Sequence, residues 1–211
     1  MFLSKEEIIQ GTKEILQDRS FYRGKLVFNI KLPVEIYGEE LKEEKLSKMI
    51  EFFKKEYSLN LNFIQAFFYF ISELSINVPE HAKAKKAFLK VFELGNKEFL
   101  EILIKDDGIG IKNSLLQNKI FIKDDIDAFK EVFRGVSAKK EKTRGFGLRT
   151  SKDIVTKAFG GNFLLFSGQE TFLSEQNKEI FRPIFGKLKG TAIDCLVPLS
   201  KKKINIYEFI E

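Results

Sequence analysis

Three short segments place carboxylates, an amide and glycines at spacings that suit nucleotide chemistry: Glu73-x-x-x-Asn77, Asp107-Gly108-Ile109-Gly110 and Gly145-Phe146-Gly147-Leu148. An ionised Asp107 only accepts hydrogen bonds, so it takes one from the exocyclic amine of adenine, which guanine lacks at that position. Gly108 and Gly110 have no Cβ and let a ligand approach the backbone. Asn77 offers a neutral oxygen suited to hard Mg²⁺, which keeps several waters and bridges to phosphates. Glu73, one turn earlier, is placed to accept a proton from water or a hydroxyl. Gly145 and Gly147 open a helix whose first N–H groups suit phosphates. In this order the three segments describe a site for ATP or ADP with Mg²⁺. Plainer readings stand beside these: an Asp-Gly pair also makes a hairpin turn, and Glu73 also serves by ordering the metal's water shell. Asp106, next to Asp107, reads as a turn cap.

The elements around these segments follow from periodicity. A helix is predicted from about Asn60 to Ala82, with Phe63, Phe67, Ile71, Leu74 and Val78 as its core stripe. At about 100° per residue, Glu73 and Asn77 lie within about 40° of each other on a side face. His81, the single histidine, shares that face; structural and phosphate-proximal roles are both open to it. Pro79 either bends this helix or ends it. Strands are expected at Ala87 to Leu94 and Glu98 to Lys105 around a Gly95-Asn96 turn. In the second strand Leu100, Ile102 and Ile104 form one apolar face that leads into the Asp-Gly segment. A polar helix is expected from about Glu39 to Tyr57, a helix from Gly147 to Phe159 closed by Gly160-Gly161, and further strands at Leu26 to Leu32, Asn162 to Ser167 and Thr191 to Leu199. Leu115 to Thr143 reads as a mobile segment, helical in patches. Its basic end, with Lys139 and Arg144, either reaches a γ-phosphate or stays a solvated loop.

Whole-chain properties restrict the class. The 211 residues, 44% of them hydrophobic, suit one domain with an appendage. Residues 1–23 read as a helical leader, with Ser4 and Glu7 as a capping box, and residues 24–211 as the domain. Charged residues at 31% and the short apolar runs predict a soluble, non-membrane protein. A single cysteine and no secretory signal predict a cytoplasmic one. Cys195 lies in an apolar strand and reads as buried, not as a nucleophile. The net charge of +6 is spread among glutamates, so nucleic acid is not the expected partner, and Lys201-Lys202-Lys203 reads as a charged tail.

From roughly Leu26 to Leu199 the chain resembles the GHKL ATPase superfamily. Glu73-Leu74-Ser75-Ile76-Asn77-Val78-Pro79-Glu80-His81-Ala82 resembles its N box, Asp107 to Gly110 its first glycine box, and Arg144 to Leu148 with Asp153-Ile154-Val155 and Gly160-Gly161 its second. Gly190-Thr191 matches its closing G-T, and Ser137 to Arg144 resembles its ATP lid. The resemblance implies an α+β fold: a two-layer α/β sandwich with a mixed, mostly antiparallel sheet and helices on one face. The N-x-x-x-His-Ala ending is most similar to anti-sigma serine kinases, whereas Phe129 to Leu148 is nearer to a histidine-kinase lid. Implied partners are ATP and a small protein, antagonist or response-regulator-like, with a homodimer also open. Phosphoryl transfer to Ser or Thr, nucleotide-gated partner binding, and a separated histidine-kinase catalytic half are the functions this leaves.

Overall fold

Alternating apolar residues build one sheet with two buried faces. In the computed structural model, which describes residues 3–32, 39–136, 147–175, 178–199 and 204–209, the strands are β1 (Lys25–Lys31), β2 (Ala87–Leu94), β3 (Phe99–Asp106), β4 (Asn162–Glu175) and β5 (Lys178–Pro198). Their order is β1-β2-β3-β5-β4, and every pairing is antiparallel. Leu89 and Val91 of β2, Ile102 of β3, and Cys195 and Val197 of β5 point into one core and are fully buried there. Burying such a side chain is worth about 1.5–3 kcal/mol, so this face dominates the fold's stabilisation.

Helices α2 (Glu39–Tyr57) and α3 (Leu61–Asn77) cover that face. Asn60 caps α3 by accepting from the Phe63 N–H, and Phe63, Phe67, Ile71 and Leu74 are buried along its inner stripe. Phe53 of α2 meets Phe67 edge-on at 5.4 Å. Beyond Asn77 the chain neither stops nor simply bends: it widens into a π-helical turn, Val78–Ala82, and leaves through Lys83 at φ 49°. Pro79 sits at the start of that turn, where the wider spiral accommodates its missing N–H. A second wide turn, Ile154–Ala158, comes after α6 (Gly147–Asp153).

The other face of the sheet is covered as well. Helix α1 (Lys5–Leu16), capped by the reciprocal Ser4 and Glu7 bonds expected from sequence, buries Ile8 and Ile15 against Phe92, Leu103, Leu164 and Phe166. It is packed on the sheet, not hung beside it as an appendage. Lys105 Nζ donates to the Ile15 carbonyl at 3.0 Å and pairs with Asp18 at 2.5 Å. Glu101 accepts from the Ser20 hydroxyl and from the Phe21 N–H. Beside Glu101 lies Asp194, likewise fully buried; burial and the neighbouring Glu101 push its carboxyl well above the usual range.

Two regions depart from expectation. Strands β4 and β5 run far past Ser167 and Thr191, pairing again from Glu170–Pro183 to Glu175–Lys178 after register shifts at Gly168. Phe172 of this extension packs on Phe133 with ring centroids 4.4 Å apart. The stretch expected to be mobile from Leu115 is folded as far as Val136. It comprises α4 (Gly110–Gln117) and α5 (Asp125–Phe133), which enclose a small core of Leu115, Ile122 and Ala128. Residues Ser137 to Arg144, read as a lid, and the Lys201-Lys202-Lys203 run lie outside the described residues.

Candidate nucleotide site

Where β3 ends, α3 crosses above and α4 and α6 begin, a cleft opens between the helix layer and the sheet. Glu73, Asn77 and His81 line it from α3 and its π turn, Ile104 and Asp106 from β3, Gly110 and Ile111 from α4, Gly147 and Leu148 from α6, and Thr191 and Ile193 from β5. Seven residues singled out from sequence therefore meet here: Glu73, Asn77, His81, Gly110, Gly147, Leu148 and Thr191. Lys139, Arg144 and Gly145 lie outside the described residues. Apolar walls from Val132, Val136 and Leu165 complete the cleft. They sit on elements the three motifs do not include.

Asp107 is not in the cleft. Its Oδ1 accepts from the backbone N–H groups of Lys85 and Lys86 at 2.7 and 2.8 Å, and Lys189 Nζ lies 3.9 Å from its Oδ2. The Lys86 N–H, ahead of the others, holds its carboxyl below the usual range. The cleft carboxylate is Asp106. Side chains alternate along a strand, so the face that carries Leu100, Ile102 and Ile104 also carries residue 106, while 105 and 107 turn away. That alternation was available in the sequence and picks out Asp106. Burial raises its carboxyl to about 6, against the Gly108 and Thr191 N–H groups that favour ionisation; the nearby Asp107 charge adds to the rise. Asp106 Oδ1 accepts from Gly108 N at 2.8 Å.

Gly108, expected at the nucleotide, does not line the cleft either: a Cβ there would lie 2.0 Å from the Ala82 carbonyl oxygen, so its glycine serves the packing of the loop on the π turn. The Ile109 N–H closes that contact by donating to the same carbonyl at 2.8 Å. Gly190 presses from the opposite side at φ 83°, and a Cβ on it would meet the Asp106 carbonyl oxygen at 2.2 Å.

The far end of the cleft is set by Gly147. A Cβ on this residue would lie 2.6 Å from Glu73 Oε2, so the start of α6 approaches the Glu73 carboxylate as only glycine allows. Asn77, one turn further along α3, and His81 beyond it continue the same wall. His81 Nε2 lies 3.9 Å from Glu80 Oε2. The polar groups thus fall at two ends: Asp106 with the Thr191 N–H at the sheet, and Glu73, Asn77 and Gly147 at the helices.

Residues 64–201, well over half of the chain, match the family of histidine kinase-, DNA gyrase B- and HSP90-like ATPases. The chain belongs to this family. The matched span contains every cleft residue named above, and ATP binding is a property of this family. Among curated proteins, none matches the chain. Among the described residues, no helix is long and apolar enough to cross a membrane.

Proposed function

We propose that the protein is a GHKL-type protein kinase or regulatory ATPase, transferring the γ-phosphate of ATP to a serine or threonine of a small protein partner in bacterial signalling, as anti-sigma kinases do. The observation that carries this is the approach of Glu73 to the first residue of α6. A carboxylate held against the helix start that borders the phosphate end is placed as a general base. It takes the proton of the attacking hydroxyl as that oxygen bonds to the γ-phosphorus and the bridging bond to ADP breaks. Asp106, when ionised, accepts from the adenine amine and selects adenine over guanine. The Asn77 amide oxygen, a neutral hard donor, would hold Mg²⁺, which would supply neutralisation of phosphate charge. His81 extends the phosphate wall.

The test separates binding from turnover. Glu73→Ala is expected to keep ATP affinity within a few fold while phosphoryl transfer or hydrolysis falls about 10²-fold or more. An acid-stable label on a partner identifies phosphoserine or phosphothreonine, since phosphohistidine is lost in acid. A Glu73→Ala protein that turns over ATP like wild type refutes the kinase reading. A wild type that labels nothing yet binds its partner only with ATP makes the domain a nucleotide-gated binding module instead.

A further inference from the structure

Ser167 lines no part of the nucleotide cleft, yet its hydroxyl touches two of the segments that do. The side chain is buried. Its Oγ accepts from the Ile111 N–H at 3.0 Å and donates to the Gly190 carbonyl at 3.3 Å. A Cβ on Gly110 would lie 2.9 Å from the same oxygen, so the first turn of α4 is seated directly on it. Ser167 is also the last residue of β4 in regular register, opposite Thr191, before the ladder shifts at Gly168. The pairing then passes to Gly168–Leu188 and skips Gly190, whose carbonyl is held by the Ser167 hydroxyl.

We propose that Ser167 is a positioning residue for the nucleotide, orienting the Gly190–Thr191 peptide toward Asp106 and holding Ile111 at the head of α4. The carbonyl of Gly190 and the N–H of Thr191 belong to one peptide unit. That unit is trans, as are all others among the described residues, so the two groups point in opposite directions. Fixing the carbonyl on Ser167 aims the N–H at the Asp106 carboxylate. Gly190 is in close contact with the Asp106–Gly108 turn, so a rotation of this peptide acts directly on the Asp106 carboxylate. The groups facing that carboxylate are the N–H groups of Gly108 and Thr191 and the charge of Asp107. Of these, only Thr191 is under the control of Ser167. Removing the hydroxyl takes this partner from the buried Gly190 carbonyl and from the half-buried Ile111 N–H and frees the peptide to turn.

The inference rests on Asp106 being the adenine acceptor, and the experiment keeps the two apart. The Asp106 carboxyl is titrated by ¹³C NMR in nucleotide-free protein, and ATP affinity is measured calorimetrically, for wild type, Ser167→Ala and Asp106→Asn. Wild type is expected to titrate near 6. In Ser167→Ala the midpoint moves upward by about half a unit as an N–H that favours ionisation swings away. ATP binding weakens about tenfold, and most of that loss disappears when Asp106→Asn is already present. A folded Ser167→Ala protein with an unmoved Asp106 midpoint overturns the inference. Normal ATP binding by Asp106→Asn overturns the adenine reading alone, because the shifted midpoint in Ser167→Ala is measured without nucleotide. If Ser167→Ala does not fold, Ser167→Cys keeps the volume with a weaker donor; a smaller upward shift supports the inference and an unmoved midpoint refutes it.

Discussion

Replacing Gly147 by alanine should make the protein no less stable and far less active. Alanine is favoured over glycine inside a helix by about 1 kcal/mol, and Gly147 opens α6 at a backbone φ that alanine adopts without strain. The added Cβ would stand 2.6 Å from Glu73 Oε2, where ordinary contact begins at 3.4 Å, so the carboxylate must retreat by about 0.8 Å. Glu73 Oε2 is the tip of a flexible side chain, which makes that retreat cheap for the fold. It is not cheap for chemistry, because misplacing a catalytic group by about 1 Å costs about 10²-fold in rate. Turnover is measured with saturating ATP and partner, and stability by thermal melting. A Tm equal to or above wild type with turnover reduced about 10- to 100-fold is expected. The same substitution made on Glu73→Ala should cost almost nothing further, since its effect acts through the displaced carboxylate. Wild-type turnover in Gly147→Ala, or an equal loss in both backgrounds, would show that the contact does not set the base.

The neighbouring aspartates should separate cleanly: Asp106→Asn weakens ATP binding about 10- to 100-fold, as expected for losing a hydrogen bond to a charged acceptor. Asp107→Asn leaves affinity unchanged and lowers stability by about 1 kcal/mol, a partly solvated loss; calorimetry and melting distinguish the two. ATP affinity should rise with pH through about 6 and level off above it, because the cleft carboxylate must be ionised to accept from adenine; at pH 5 affinity falls about tenfold. The same group acts oppositely on the fold without nucleotide. Its folded pKa of about 6 stands above the ordinary value of 3.8, so its stabilising contribution is complete below about 4 and is lost as pH rises through 6. Asn77→Ala should weaken Mg²⁺-dependent ATP binding while leaving Mg²⁺-free binding near wild type. Asp194, raised by burial and by the neighbouring Glu101, should likewise make stability fall as pH rises in wild type; Asp194→Asn removes its share of that fall, as melting curves across pH would show.

The motifs bring seven of their residues to one cleft but name the wrong one of two adjacent aspartates for its wall. Glu73 and Asn77 are legible because one helical period fixes both, whereas His81 reaches the same wall through the π turn; Gly147 is legible because a glycine beside a helix start has few other uses. The glycine spacing favours Asp107, whereas the strand period favours Asp106; Leu100, Ile102 and Ile104 already mark residue 106 as inward, and the period prevails. The role of Gly108 is not legible, since its neighbour is the Ala82 carbonyl and the π turn that brings it near has no sequence signature beyond Pro79. The extended β4 and β5 arm is hidden for a similar reason. Gly168, Pro183 and Gly186 interrupt the alternation that identifies strands, and the arm pairs through register shifts instead. The covering of the sheet's second face by α1 is half visible: its cap and apolar positions predict the helix, while its destination depends on Glu101 and Lys105, which a local pattern reads as surface charge.

The wide turn at Val78–Ala82 makes this part of the molecule sensitive to length as well as to composition. A π turn is a helix carrying one residue more than its regular register would hold. Inserting one further residue ahead of His81 would exceed what the turn absorbs and would rotate the downstream chain by about 100°. His81 would leave the cleft wall. The Ala82 carbonyl would no longer meet Ile109, and the N–H groups of Lys85 and Lys86 would arrive out of phase with Asp107. No side chain need change for that to happen, so the chain's count between Asn77 and Lys85 is itself part of the binding site.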